Sequence, residues 1–145
     1  EVGPAHGVSL EMENNYGLTP IVYAMMNHQV YAFIYLYFKM RCHLSVETAS
    51  WTVTQMIKQK STQTEILSLL LNDEALSEHV ASTALEASVQ HRNVEWLETT
   101  LKHLFRYNKL ETASLEKILA EDAPDPAIAD LIERYLVNVI FNFSL

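Results

Sequence analysis

Helix-start signals recur along this chain about every 32 residues, and that rhythm constrains the fold more than any other feature. Thr19-Pro20, Thr48-Ala49, Thr83-Ala84 and Thr112-Ala113 are separated by 29, 35 and 29 residues. Glu47–Ser50 and Glu111–Ser114 both read Glu-Thr-Ala-Ser, 64 residues apart, which is two such periods. Apolar residues between these points recur at helical spacing, with no competing strand alternation. A pair of short helices cannot bury its own apolar stripe, so successive pairs have to stack. The expectation is an all-α chain: a short α-solenoid of helix-turn-helix units forming a single domain over 1–145. Its hairpins fall at approximately 19–40, 45–72, 74–106 and 108–143, with 1–18 read as the end of a preceding repeat and a β-turn.

Local chemistry supplies the boundaries. Thr19 can cap a helix whose first residue, Pro20, has no N–H to satisfy. Ile21, Ala24 and Met25 follow at helical spacing, and Val30, Phe33, Ile34, Tyr37 and Phe38 mark a second helix. Ser45 precedes the stripe Val46, Ala49, Val53, Met56 and Ile57. Thr62 with Glu65, and Asn108 with Glu111, have capping-box spacing and predict helix starts. The third pair is expected to begin within Asp73–Ser77, and its second helix at Asn93. Asp125-Pro126 opens the last helix, whose stripe runs from Ile128 to Phe143.

Three glycines and four prolines are too few for a chain of tight β-turns or for disorder. The formal charge of −8 opposes a phosphate backbone or an anionic membrane surface, so neither nucleic acid nor membrane is expected as a partner. Cys42 is the one cysteine, which rules out an internal disulfide and fits a reducing compartment. Val30–Phe38 and Tyr135–Phe143 are too short to span a bilayer. The chain is expected to be intracellular, in cytoplasm or nucleus.

Residues 5–27 run Ala-His-Gly-Val-Ser-Leu-Glu-Met-Glu-Asn-Asn-Tyr-Gly-Leu-Thr-Pro-Ile-Val-Tyr-Ala-Met-Met-Asn. This stretch resembles the ankyrin repeat. Gly7 stands where that family ends an outer helix, Gly17, Thr19, Pro20 and Ile21 stand in its Gly-x-Thr-Pro-Leu signature, and Ala24 takes the small-residue position of the inner helix. Arg92–Leu97, reading Arg-Asn-Val-Glu-Trp-Leu, is similar to the family's Gly-x-Val-Glu-Val-Val, with Arg92 in place of glycine. No glycine follows residue 17, so the later units depart from the family and are expected to have short connections in place of β-turn fingers. The resemblance implies degenerate ankyrin-like repeats, a concave face for binding protein, and further repeats upstream of Glu1.

On that face the resemblance places Tyr16 at a turn tip, Tyr23, Met26 and Asn27 beside it, and Gln90 and His91 at the matching positions of the third unit. Aromatic and methionine side chains are enriched at interfaces. The six histidines form no His-Glu-x-x-His pattern, and His91 and Glu95 straddle the break at Arg92. No metal, cofactor or catalytic group is expected. Cys42 is read as a structural thiol, Trp96 as core and Trp51 as exposed. The acidic turn Glu121–Pro126 is read as a helix end followed by an aspartate cap. The functional expectation is a non-enzymatic scaffold that binds another protein. The alternative is an assembly module that oligomerises or docks through the C-terminal helix, with Ile132 and Val139 as the residues to disrupt.

Overall fold

A computed structural model describes residues 18–121 and 125–141. The expected turn over 1–17, with Gly7, Tyr16 and Gly17, lies outside the described residues, as do 122–124 and Phe143. Eight α-helices follow in order: α1 (Pro20–Met26), α2 (Val30–Ile34), α3 (Val46–Lys58), α4 (Thr64–Leu71), α5 (Ser77–Gln90), α6 (Val94–Arg106), α7 (Thr112–Glu121) and α8 (Pro126–Phe141). A π-helical turn, Tyr35–Lys39, continues α2. Among the described residues there is no strand.

The helices lie in two layers. In one, α1 packs on α3 and α3 on α5; in the other, α2 packs on α4, α4 on α6 and α6 on α8. The contacts α1–α2, α4–α5, α5–α6 and α7–α8 join the layers.

The period is written at the ends of the first-layer helices. Asn27, Gln59 and His91 are the C-caps of α1, α3 and α5. Each is followed by a left-handed residue: His28 (φ 60), Lys60 (φ 56) and Arg92 (φ 55), two steps of 32. The closing hydrogen bonds repeat with them. Gln29 N–H donates to Ala24 O at 2.9 Å, Ser61 N–H to Met56 O at 3.0 Å and Asn93 N–H to Ser88 O at 2.8 Å. This is the geometry glycine usually supplies. The period therefore does not lie in the threonines: Thr48 and Thr83 sit inside α3 and α5, because these helices differ in length at their N-terminal ends.

Two capping-box assignments are also corrected. Thr62 lies outside α4; Ser61 Oγ accepts from Gln63 N–H at 3.1 Å and the helix starts at Thr64. Asn108 does not start a helix but ends α6 in the left-handed region (φ 56), with Lys109 N–H donating to Leu104 O at 2.8 Å. Asparagine tolerates that region, so its short amide serves helix ends as well as helix starts. Ser45 and Asn93 do cap, accepting from Thr48 N–H at 3.1 Å and Trp96 N–H at 3.3 Å. Asp125 accepts from Ala127 N–H at 3.2 Å at the start of α8. Thr19 occupies the N-cap position of α1 without a side-chain bond.

The π turn changes the phase of α2. An extra residue per turn carries Tyr37 over Phe33, their rings stacked with centroids 5.2 Å apart, and leaves Phe38 exposed although the helical stripe includes it. The Tyr37 hydroxyl donates to Asp73 Oδ2. Burial and that carboxylate push the Tyr37 phenol well above its ordinary range. Two further bonds tie α3 and the α3–α4 connection to the start of α6: Asn93 Nδ2 donates to Ile57 O at 3.0 Å and Trp96 Nε1 to Ser61 O at 2.7 Å. Trp96 is fully buried and Trp51 half exposed.

The core forms two clusters that meet at α6. Trp96 belongs to the larger one, with Phe33, Val53, Met56, Ile57, Leu67, Leu70, Val80 and Ala84. Leu97 and Leu101 belong to the other, with Leu115, Ile128, Leu131, Ile132 and Tyr135.

Candidate functional site

The close stacking of the first layer stops at α5. The backbone of α7 meets α8, and its approach to α5 is far slighter than that of α3. The space between α5 and the α6–α7 connection is a cleft of about 870 Å³. Pockets of roughly 300–1,000 Å³ are the size that proteins use for ligands.

Ala81 and Leu85 of α5, Leu104 of α6 and Leu71 at the end of α4 give the cleft apolar walls. Ser77 and Ser82 add only short side chains on the α5 side, so that helix does not fill the gap. Glu74, Glu78 and Glu111 also line it, against one lysine, Lys109. None of these three carboxylates is held in an ion pair or side-chain hydrogen bond among the described residues.

Each wall has a local cause. Asp73 organises the start of α5: its Oδ1 accepts from Ala75 N–H at 3.0 Å and its carbonyl from Ser77 N–H at 2.8 Å. Its Oδ2 holds the Tyr37 hydroxyl, tying this turn to the first helix pair. On the other side, the left-handed Asn108 turns the chain out of α6 and leads Lys109 and Glu111 along the cleft. His103 and Tyr107 lie one helical turn apart at the end of α6, with ring centroids at 4.7 Å. Burial first, then Lys109 and Arg106, lowers the His103 pKa, so this imidazole is neutral near pH 7.

The residues singled out in the sequence lie elsewhere. Met26 and Asn27 end α1, and Gln90 and His91 end α5, with Lys58 and Gln59 of α3 at the matching position between them. These are helix-end positions on one edge of the layer. On α5 that edge is about 20 Å from the cleft end of the helix, at 1.5 Å per residue. Tyr23 is half exposed one turn back, and the Asn27 amide donates to its carbonyl at 2.9 Å. Met26 is half buried against the larger core cluster. Asn27 and Gln90 are exposed, and Tyr16 lies outside the described residues.

The cleft left little trace in the sequence, because its lining comes from four helices and two connections between Leu71 and Ser114. Among the described residues no group of three His, Cys, Asp or Glu side chains could hold a metal ion. The three cleft glutamates are divided between two segments, Glu74 and Glu78 at the start of α5 and Glu111 in the α6–α7 connection. Cys42 is buried. No helix of the described residues is long and apolar enough to cross a membrane. Set against protein-family models, curated proteins and solved structures, the chain matches none.

Proposed function

We propose that this chain is a short helical-repeat solenoid, ankyrin-like in design, that binds a partner protein in the cleft between α5 and the α6–α7 connection. The observation that carries this reading is the interruption of the first layer after α5: it leaves Leu85 and Leu104 facing an opening of about 870 Å³. Stacked repeats give a rigid surface, and a rigid surface loses little entropy on binding. Enzymatic function is not part of the proposal. The neutral His103 has no nucleophile or carboxylate among its described partners to make a catalytic set.

Display of a random peptide library on the full chain tests the reading. Binders should be enriched, and Ser82→Trp, which fills the cleft, should abolish their binding. Binding that survives Ser82→Trp but is lost on Tyr23→Asp or Gln90→Glu would move the site to the opposite edge. An absence of enriched binders would count against the proposal altogether.

One observation favours a second reading, self-assembly through α8. Val137, Ile140 and Phe141 lie at helical spacing near its end and are 44%, 54% and 63% exposed. Ile132 and Val139, the residues expected from the sequence to matter here, are buried and half buried, so their loss would damage the core and test nothing else. Light scattering on the wild type and on Ile140→Asp decides: a concentration-dependent dimer that the substitution abolishes supports assembly, and a monomer throughout removes it.

A further inference from the structure

The proposed function leaves open what chemistry the cleft selects, and the side chains around it answer that question. We infer that the cleft takes an extended segment of a partner protein that carries lysine or arginine side chains between aliphatic ones. The inference rests on the protein-binding reading above and adds the charge and shape of the occupant.

Three observations carry it. The first is charge. Glu74, Glu78 and Glu111 line the opening with Lys109 as the one lysine or arginine among them, and the neutral His103 adds no second positive charge. All three carboxylates are exposed and have no ion-pair partner among the described residues, so they give the opening a negative field that attracts cationic side chains and repels anionic ones. The second is distribution. Glu74 and Glu78 stand on the α5 side of the opening and Glu111 in the α6–α7 connection, so cationic side chains set along a chain can meet them in turn. The third is the apolar wall. Leu85 and Leu104 suit the aliphatic stems and neighbours of such side chains, and the exposed Tyr107 ring offers a face to a guanidinium or ammonium group.

The test uses a fluorescein-labelled peptide with alternating Arg and Leu in a Gly-Ser host, and a twin in which Glu replaces Arg, titrated against the full chain by fluorescence anisotropy. The Arg peptide should bind and its Glu twin should not. Ser82→Trp should abolish binding although it leaves the net charge unchanged, which separates occupancy of the cleft from general attraction to an acidic protein. The combined change Glu74→Gln, Glu78→Gln and Glu111→Gln should weaken binding at least tenfold, roughly the effect of removing close interfacial charge pairs. Lys109→Glu should tighten it, a gain that an unfolded variant could not produce.

Arg-peptide binding that ignores both the triple change and Ser82→Trp overturns the inference. So does equal binding of the Glu twin; if that binding is lost on Ser82→Trp, the cleft remains a protein-binding groove and only its charge preference falls. If neither peptide binds while the random library yields cleft-dependent binders, the chemistry inferred here is wrong and the function stands.

Discussion

Between α3 and α5, the side chains of Val53, Met56 and Ile57 and those of Val80 and Ala84 enter one buried cluster, and the two helices pack closely along their length. Between α5 and α7 the same kind of neighbour relation fails. Leu85 and Val89 on that side of α5 are only half buried, and of the α7 side chains described Leu115 alone is fully buried. The first junctions also carry directional bonds, Tyr37 to Asp73, Asn93 to Ile57 and Trp96 to Ser61. The last is built from apolar contacts of Leu97 and Leu101 with Ile128, Ile132 and Tyr135. Apolar contact is not directional, whereas a hydrogen bond fixes register. The first three pairs are thus joined by directional hydrogen bonds, and the fourth, among the described residues, by the apolar contacts of α6 with α8 and the edge-on Phe105–Tyr135 ring pair; the cleft lies where α7 stands away from α5.

The sharpest way to break this comparison is Trp96→Ala. It removes a fully buried ring and leaves the Ser61 carbonyl without its donor, and should cost about 3–5 kcal/mol. Chemical denaturation should show the whole chain losing stability, since this residue ties the third pair to the second and belongs to the core cluster that runs through the first three pairs. Leu115→Ala should cost less, about 2–4 kcal/mol, and act locally. Hydrogen exchange should then accelerate through α7 and α8 while α3 and α5 stay protected; uniform acceleration would show that the fourth pair is no looser than the others. Arg92→Gly should stabilise by about 1 kcal/mol, because a non-glycine residue at φ 55 carries steric strain of that order. Thermal melts of Arg92→Gly, Lys60→Gly and His28→Gly should rise by similar amounts if the three turns are equivalent.

The smallest effect concerns pH. The folded state lowers the His103 pKa, so the unfolded chain binds its proton more readily. Stability from this group is complete above the ordinary histidine pKa of about 6.5 and is lost as pH falls through that value and on through the lower folded one. His103→Gln should flatten the melting temperature between pH 7.5 and pH 5 relative to the wild type.

The helical class was readable from the chain because stripes such as Val46–Ala49–Val53–Met56–Ile57 have a period no strand can use. Helix starts at Ser45 and Asn93 were readable because a polar cap stands directly before an apolar run. The period was harder. Its markers are His28, Lys60 and Arg92, and nothing in histidine, lysine or arginine announces a left-handed turn as glycine would. Asn108 misled for the opposite reason, since its short amide suits both ends of a helix. The cleft was not readable, because it depends on how closely α7 approaches α5, and that approach is a matter of tertiary packing among four helices rather than of any one segment.

One consequence lies in α6. Its neighbouring residues Trp96 and Leu97 point into different compartments, and its far end presents His103 and Tyr107 to the cleft. The helix is a rod pegged on two sides near one tip, with the other tip at the mouth. Because Trp96 and Leu97 are fully buried one residue apart in separate clusters, a substitution at either should also disturb the wall that carries His103 and Tyr107.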